Sequence, residues 1–355
     1  MRKYISFCVF IVFILCVQKS ASQTTAFRKD SFADHWQYVG IAIEEPGFHI
    51  WGSSPIMDET GKVHLFVARW SNKLGVDPGW RSHSEIVHYV ANKPEGPFKF
   101  VEVVLTGSGK DTWDKYGVCN PAIHKVGNKY VLLYIANDNY KSPPHSSNQK
   151  IGMMVAESLK GPWKKVGKDG LLLKPSENKF FWTNKSKCGV TNPALLQHPN
   201  GGYLLYFKAK TDEGIKMGVA FAEQIEGPYV QFPEPVTKND MPIEDGYAFV
   251  YQNKICLLTT DNIGLLKRGG GILWKSEDGI NFTEREPGFN LFVDYVGKEA
   301  LVNGKMLYGT DLKFERPQVL LINDEPAYLY VPSGINKDGN DGTASYILKF
   351  NSYVK

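Results

Sequence analysis

Cysteine is scarce in this chain: five in 355 residues, with Cys8 and Cys16 inside the N-terminal apolar run and only Cys119, Cys188 and Cys256 beyond it. Three cysteines without regular spacing make neither a disulfide framework nor a zinc site. Cys119 and Cys188 precede equivalent turns, so a bridge between them is conceivable, but buried free thiols are the simpler expectation. The eight histidines show no metal-ligand spacing. No serine stands on a nucleophile elbow, and Gly269-Gly270-Gly271 sits in β-turn surroundings rather than between a strand and a helix. No block of like charge argues for nucleic acid, and beyond residue 22 no apolar run is long enough to span a membrane.

The one long apolar run has the marks of an export signal. Arg2 and Lys3 precede Ile5 to Val17, and Ala21-Ser22 supplies small residues for cleavage, so residues 1–22 read as a signal peptide and the protein as secreted or periplasmic. A lipoprotein reading at Cys16, which would place the protein at the outer membrane, is weaker because bulky Ile14 and Leu15 stand where small residues belong. With Arg2, Lys3 and Lys19 removed, Lys plus Arg falls from 41 to 38 against 37 acids, a nearly neutral surface.

What the chain does contain is a repeat. Gly117-Val118-Cys119-Asn120-Pro121-Ala122-Ile123 returns as Gly189-Val190-Thr191-Asn192-Pro193-Ala194-Leu195, each followed by a polar turn and an apolar, aromatic run. Weaker copies open at Ser54-Pro55, at Asp245-Gly246 and at Arg316-Pro317. Between the copies recur Glu95-Gly96-Pro97-Phe98, Lys160-Gly161-Pro162-Trp163 and Glu226-Gly227-Pro228-Tyr229, with Asp278-Gly279-Ile280-Asn281-Phe282 as a degenerate fourth. Gly and Pro end one strand and the aromatic begins the next. Five units of four antiparallel strands predict an all-β, five-bladed β-propeller, with residues 23–355 as one domain. A strand near Trp36 is expected to complete the last blade, whose own C-terminal strand, 346–350, is short.

In such a propeller the starts of first strands and the ends of second strands share one face, and the long loops join them there. That face gathers Trp51 and Ser54, Asn120, Asn192, Glu244 and Asp245, Glu315 and Arg316, with Arg69, Asp138, Lys208 and Asp261 on returning strands and Trp80 and Trp113 in loops. Paired carboxylates among aromatic rings suit glycoside hydrolysis, one acid protonating the leaving oxygen while the other activates water or attacks the sugar. Trp rings stack on sugar faces, and Arg, Lys and Asn hold hydroxyl or acidic groups. The same residues have plainer readings: Asn before Pro satisfies local backbone donors, Asp138 and Asp261 suit turns, and tryptophans pack between blades.

With its X-Pro strand openings, Gly-Pro-aromatic turns and Glu244-Asp245-Gly246, the whole mature chain resembles the five-bladed propeller glycoside hydrolases of the family 43 type, β-xylosidases and α-L-arabinofuranosidases. The resemblance implies Glu244 as general acid, with Asp245 or Glu315 as second carboxylate, and an oligosaccharide derived from plant or algal polysaccharide as substrate, cut by an exo-acting enzyme. It also implies an Asp before the Pro of the first blade as base, where this sequence has Ser54. The base would then come from Asp114, Asp138, Asp261, Glu85 or Glu315, or the chain is closer to the family 117 type of anhydrogalactosidase acting on marine galactans, or it only binds carbohydrate. No cofactor is called for. A structural Ca²⁺ or Na⁺ at the channel centre is compatible with the fold, but no ligand spacing predicts it.

Overall fold

The computed structural model describes residues 30–140, 148–309 and 312–352. The signal peptide read over residues 1–22 and the loop carrying Pro143, Pro144 and His145 lie outside these described residues.

Five antiparallel sheets make the five blades. Blade one is built from Phe48–Met57, Val63–Ser71, Glu85–Ala91 and Lys99–Leu105, and blade two from Cys119–Val126, Lys129–Ala136 and Lys150–Ala156. The fourth position of blade two is shared by two short strands, Lys164–Lys165 and Leu171–Leu173, which both pair with the third. Blade three runs through Thr191–Gln197, Tyr203–Thr211, Gly214–Ala222 and Val230–Gln231, and blade four through Ile243–Tyr251, Lys254–Asp261, Gly271–Ser276 and Phe282–Phe289. Gln318–Ile322, Glu325–Ser333 and Ala344–Phe350 form blade five, and Trp36–Ile43 pairs along Ala344–Phe350 as its outermost strand, closing the ring from the N-terminal side.

Consecutive residues of each second strand serve opposite blade interfaces, because side chains alternate across a sheet. Leu65 packs between blades five and one, and Phe66 between one and two; Leu132 stays in that second interface, while Leu133 enters the one with blade three. Leu205 and Leu204 divide in the same way between blades two and four, and Leu257 and Leu258 between three and five. Both faces of these strands are buried, which is why the sequence shows continuous apolar runs there rather than alternation. The three Gly-Pro turns are alike: Gly96, Gly161 and Gly227 have φ of 83°, 77° and 86° and each precedes a cis proline. Gly279, φ 75°, keeps the glycine conformation in the fourth copy, where Ile280 replaces proline.

The first strands of blades one to four begin with the same irregularity. The pairing with the second strand shifts between Trp51 and Ser54, Cys119 and Ala122, Thr191 and Ala194, and Glu244 and Tyr247. At the centre of each shift lies a left-handed residue: Gly52, Asn120, Asn192 and Asp245, with Arg316 at the corresponding place in blade five (φ 59°, 50°, 56°, 65° and 48°). Gly, Asn and Asp reach this conformation at least cost, which explains four of the five residue types; Arg316 does so against its preference.

Candidate active site

The five left-handed residues meet at the propeller axis. Asn120 Nδ2 donates to Asn192 Oδ1 at 2.6 Å, and Asn192 Nδ2 donates in turn to Asp245 Oδ1. The backbone N–H of Arg316 donates to Asp245 Oδ2 at 3.3 Å, while its guanidinium Nη2 reaches across to the carbonyls of Asn120 (3.1 Å) and Pro193 (3.2 Å). A side chain at the fifth position would be tight, since a Cβ on Gly52 would stand 3.3 Å from Arg316 Cγ and in contact with Asn120 Oδ1 at 3.6 Å. These buried side chains join all of blades two to five at the axis. Among the described residues no three His, Cys, Asp or Glu come together as a metal cluster.

Above these residues lies a pocket of about 110 Å³. Its wall changes character around the axis. Trp51, Trp70, Val76, Trp80 and Tyr308 make an apolar side, and Trp51 meets Tyr308 edge-on with ring centroids 6.0 Å apart. The rest of the lining is polar: Lys208, Glu244 and Glu315, with Cys119, Gln149 and Thr191, and Asn120, Asn192 and Asp245 from the hydrogen-bonded chain below.

The residue just before each left-handed position faces this pocket. Those residues are Trp51, Cys119, Thr191, Glu244 and Glu315, so blades four and five each present a glutamate. Glu244 bonds Lys208 through Oε2 and Asn262 through Oε1. Glu315 pairs with Lys313, whose Nζ also donates to Asn262 Oδ1 at 3.2 Å. Lys208, Glu244, Asn262, Lys313 and Glu315 thus form one continuous chain of polar contacts.

The two glutamates differ in protonation. Burial alone would raise the Glu244 carboxyl, but the Lys208 ammonium, with the bonds from Lys208 and Asn262, outweighs it and holds Glu244 well below the usual carboxylate range. Glu315 is more deeply buried, 9% against 20% side-chain exposure. Burial pushes it up to about 7; the charges on Glu244 and Asp245 act in the same direction and Lys313 opposes them. Asp245 is also raised, by burial and then by Glu244. Burial works against Lys208 and Lys313, yet their carboxylate neighbours raise both. Burial lowers Arg316 to about 10, which leaves it cationic at neutral pH.

Of the residues expected at the site, Trp51, Trp80, Asn120, Asn192, Lys208, Glu244, Asp245 and Glu315 line the pocket, and Arg316 lies in the hydrogen-bonded group beneath it. Five do not reach it. Arg69 is clamped by Glu45 (2.7 Å) and Glu85 (2.8 Å) and lies over the rings of Phe48 and Phe100. Trp113 is buried against Tyr134, centroids 5.7 Å apart. Asp138 pairs with Lys150 at 3.2 Å and accepts from Asn148. Asp261 spends its carboxylate on four backbone N–H groups, those of Gly264, Leu265, Leu266 and Lys267. Ser54 is buried and accepts from the Ile123 N–H at 3.0 Å, because Gly52, two residues earlier, holds the place equivalent to Asn120. Cys119, Cys188 and Cys256 are free, buried thiols.

The same fold recurs among solved glycoside hydrolases. Zg3597, a family 117 glycoside hydrolase produced by the marine bacterium Zobellia galactanivorans, superposes with a TM-score of 0.65 at 15% identity over 92% of this chain and 94% of its own. CoXyl43, a GH43 β-xylosidase/α-arabinofuranosidase from a compost microbial metagenome, gives 0.61 at 12% identity over 90% and 96%. An exo-1,5-α-L-arabinanase from a bovine ruminal metagenomic library gives 0.57 at 9% identity over 88% and 96%. No family model matches the chain, and no curated protein matches it by sequence. These likenesses establish the five-bladed fold.

Lys313, Asn262, Tyr308 and Trp70 were not foreseen. Lys313 and Tyr308 lie in the connection between blades four and five, which carries no repeat. There Lys313 and Glu315 alternate with Phe314, and an extended backbone sends Phe314 into the core while the flanking pair meets in an ion pair. That alternation is the one sequence signal that would have marked Lys313.

Proposed function

We propose that the protein is a glycoside hydrolase whose chemistry is carried by Glu315 and Glu244. The observation behind this reading is the pairing, in one axial pocket, of a buried carboxyl raised to about 7 with a carboxylate that Lys208 keeps ionised. Two carboxyls whose surroundings push their protonation apart are the arrangement that divides acid from base. Glu315 is the general acid, donating its proton to the glycosidic oxygen as the bond to the anomeric carbon breaks. Glu244 is the ionised partner, which takes a proton from the attacking water or itself bonds the anomeric carbon. On this reading the roles are the reverse of those implied by the resemblance, which makes Glu244 the acid.

The buried chain of Asn120, Asn192, Asp245 and Arg316 at the pocket floor supports exo-action. The tryptophan wall supports a sugar ring as the bound unit. The activities of CoXyl43 and of the exo-arabinanase support a plant oligosaccharide of the xyloside or arabinofuranoside kind, and the likeness to a family 117 enzyme from a marine bacterium supports an algal one. The reading of residues 1–22 as a signal peptide supports export. A second reading, a propeller that binds carbohydrate without cleaving it, is favoured by one observation: Gly52 stands at the bulge of blade one, and among the described residues no carboxylate of blades one to three lines the pocket. Incubation with aryl β-xyloside, α-L-arabinofuranoside, α- and β-galactoside and with xylan, arabinan and agar oligosaccharides separates the readings. Release of a terminal sugar supports the enzyme, and ¹H NMR of the first anomer released gives the stereochemistry; binding without release supports the second.

A further inference from the structure

The contacts around Glu315 assign a role to a residue outside the repeat. We propose that Lys313 is a positioning residue that sets when Glu315 gives up its proton, and that Asn262 ties this setting to Glu244. The inference rests on the reading of Glu315 as general acid.

The backbone fixes Lys313 firmly. Its carbonyl accepts from Ser333 Oγ at 3.0 Å, the Glu315 N–H donates to the Pro332 carbonyl at 3.0 Å, and Phe314 between them is fully buried. Lys313 and Glu315 therefore meet on one side of an anchored strand segment, with little freedom to separate. The Lys313 ammonium has a second bond, to Asn262 Oδ1, and the amide nitrogen of the same Asn262 donates to Glu244 Oε1. An amide whose oxygen is held by a lysine has its NH₂ group fixed toward the carboxylate, so Asn262 reads both glutamates at once.

Among the described residues, the charged and titratable groups facing Glu315 are Lys313 on its own segment, Glu244 and Asp245 from blade four, and Tyr308 from the preceding connection. Lys313 is the cation among these, and it opposes burial and both blade-four acids. Removing it leaves Glu315 with desolvation and like charge alone, so the proton is held to higher pH.

The test is carboxyl ¹³C NMR titration of the full chain labelled at glutamate, with the Glu315 signal assigned by its loss in Glu315→Gln. Lys313→Met is expected to move the Glu315 midpoint up by about one pH unit or more, and Lys313→Arg to return it to the wild-type value. Lys313→Gln, which keeps a donor for Asn262, covers the case in which the methionine variant does not fold, and is also expected to move the midpoint up. On an oligosaccharide substrate the alkaline limb of kcat/KM should move with it. An unmoved midpoint in folded Met or Gln variants overturns the inference. If instead Glu315→Gln turns over substrate normally, the acid reading fails, while the NMR midpoint still decides the role of Lys313.

Discussion

Arg316 Cγ stands 3.3 Å from the point that a Cβ on Gly52 would occupy, although 264 residues separate the two in sequence. Blade five therefore fills the place that blade one leaves empty, and one guanidinium bonds to carbonyls of blades two and three. Gly52→Ala would combine a left-handed alanine with a contact that Arg316 cannot easily relieve. We expect a loss of about 2 kcal/mol or more, read as a lower midpoint in urea with an unchanged slope.

Lys208 keeps Glu244 ionised, and removing it acts on both stability and pH dependence. Lys208→Met leaves Glu244 with burial unopposed by its nearest cation, so the acid limb of the kcat/KM profile should move to higher pH. The fold should weaken by about 2–3 kcal/mol, discounted from a fully buried pair because Glu244 retains some exposure. A pH-rate profile and a thermal melt on the same variant check both.

A third expectation concerns the face opposite the pocket. His64 Nδ1 and His88 Nε2 are 2.7 Å apart, Asp58 bonds the other nitrogen of His64 at 3.2 Å, and Phe66 stacks on His88 with centroids 4.7 Å apart. Burial lowers His88 to about 4 from 6.5, with the neighbouring charges of His64 and Lys160 adding. The unfolded chain therefore binds this proton more readily than the folded one. Stability should fall as pH drops from 6.5 toward 4, by about 3 kcal/mol for this group, and level off below. Urea unfolding at pH 7.5 and 4.5 should show that drop, and a folded His88→Gln variant should show less of it.

Arg69 offers a contrast. It joins Glu45 and Glu85 beneath two aromatic rings and touches none of the pocket. Arg69→Met should lower stability by about 1–3 kcal/mol and leave kcat/KM unchanged at temperatures where the variant is folded.

The blade count was legible because the strand openings and the Gly-Pro turns repeat, and the closing strand Trp36–Ile43 because the last blade was one strand short. The site was legible where it followed the repeat, at Asn120, Asn192, Asp245 and the glutamates. In blade one Trp51 was placed correctly, but Ser54 was misplaced because proline served as the anchor for alignment. Pro121 and Pro193 directly follow the left-handed residue, whereas Pro55 comes three residues after Gly52, and the pairing register, not the proline, decides which residue faces the axis. Asp261 illustrates a second limit: at the end of a second strand a carboxylate serves a turn or a substrate equally well by sequence, and only the four N–H groups directed at it decide. Lys313 and Asn262 act through contacts between separate segments that no spacing encodes.

The most direct test of the account is the leaving-group dependence of Glu315→Gln. An activated aryl glycoside needs little protonation on departure, whereas a natural oligosaccharide needs it fully. The account predicts that Glu315→Gln loses about 10²-fold or more of kcat/KM on the oligosaccharide and far less on the aryl glycoside, with the alkaline limb removed, while Glu244→Gln loses both. If Glu315→Gln falls equally on both substrates, or Glu244→Gln shows the split instead, the assignment of the acid to Glu315 is contradicted.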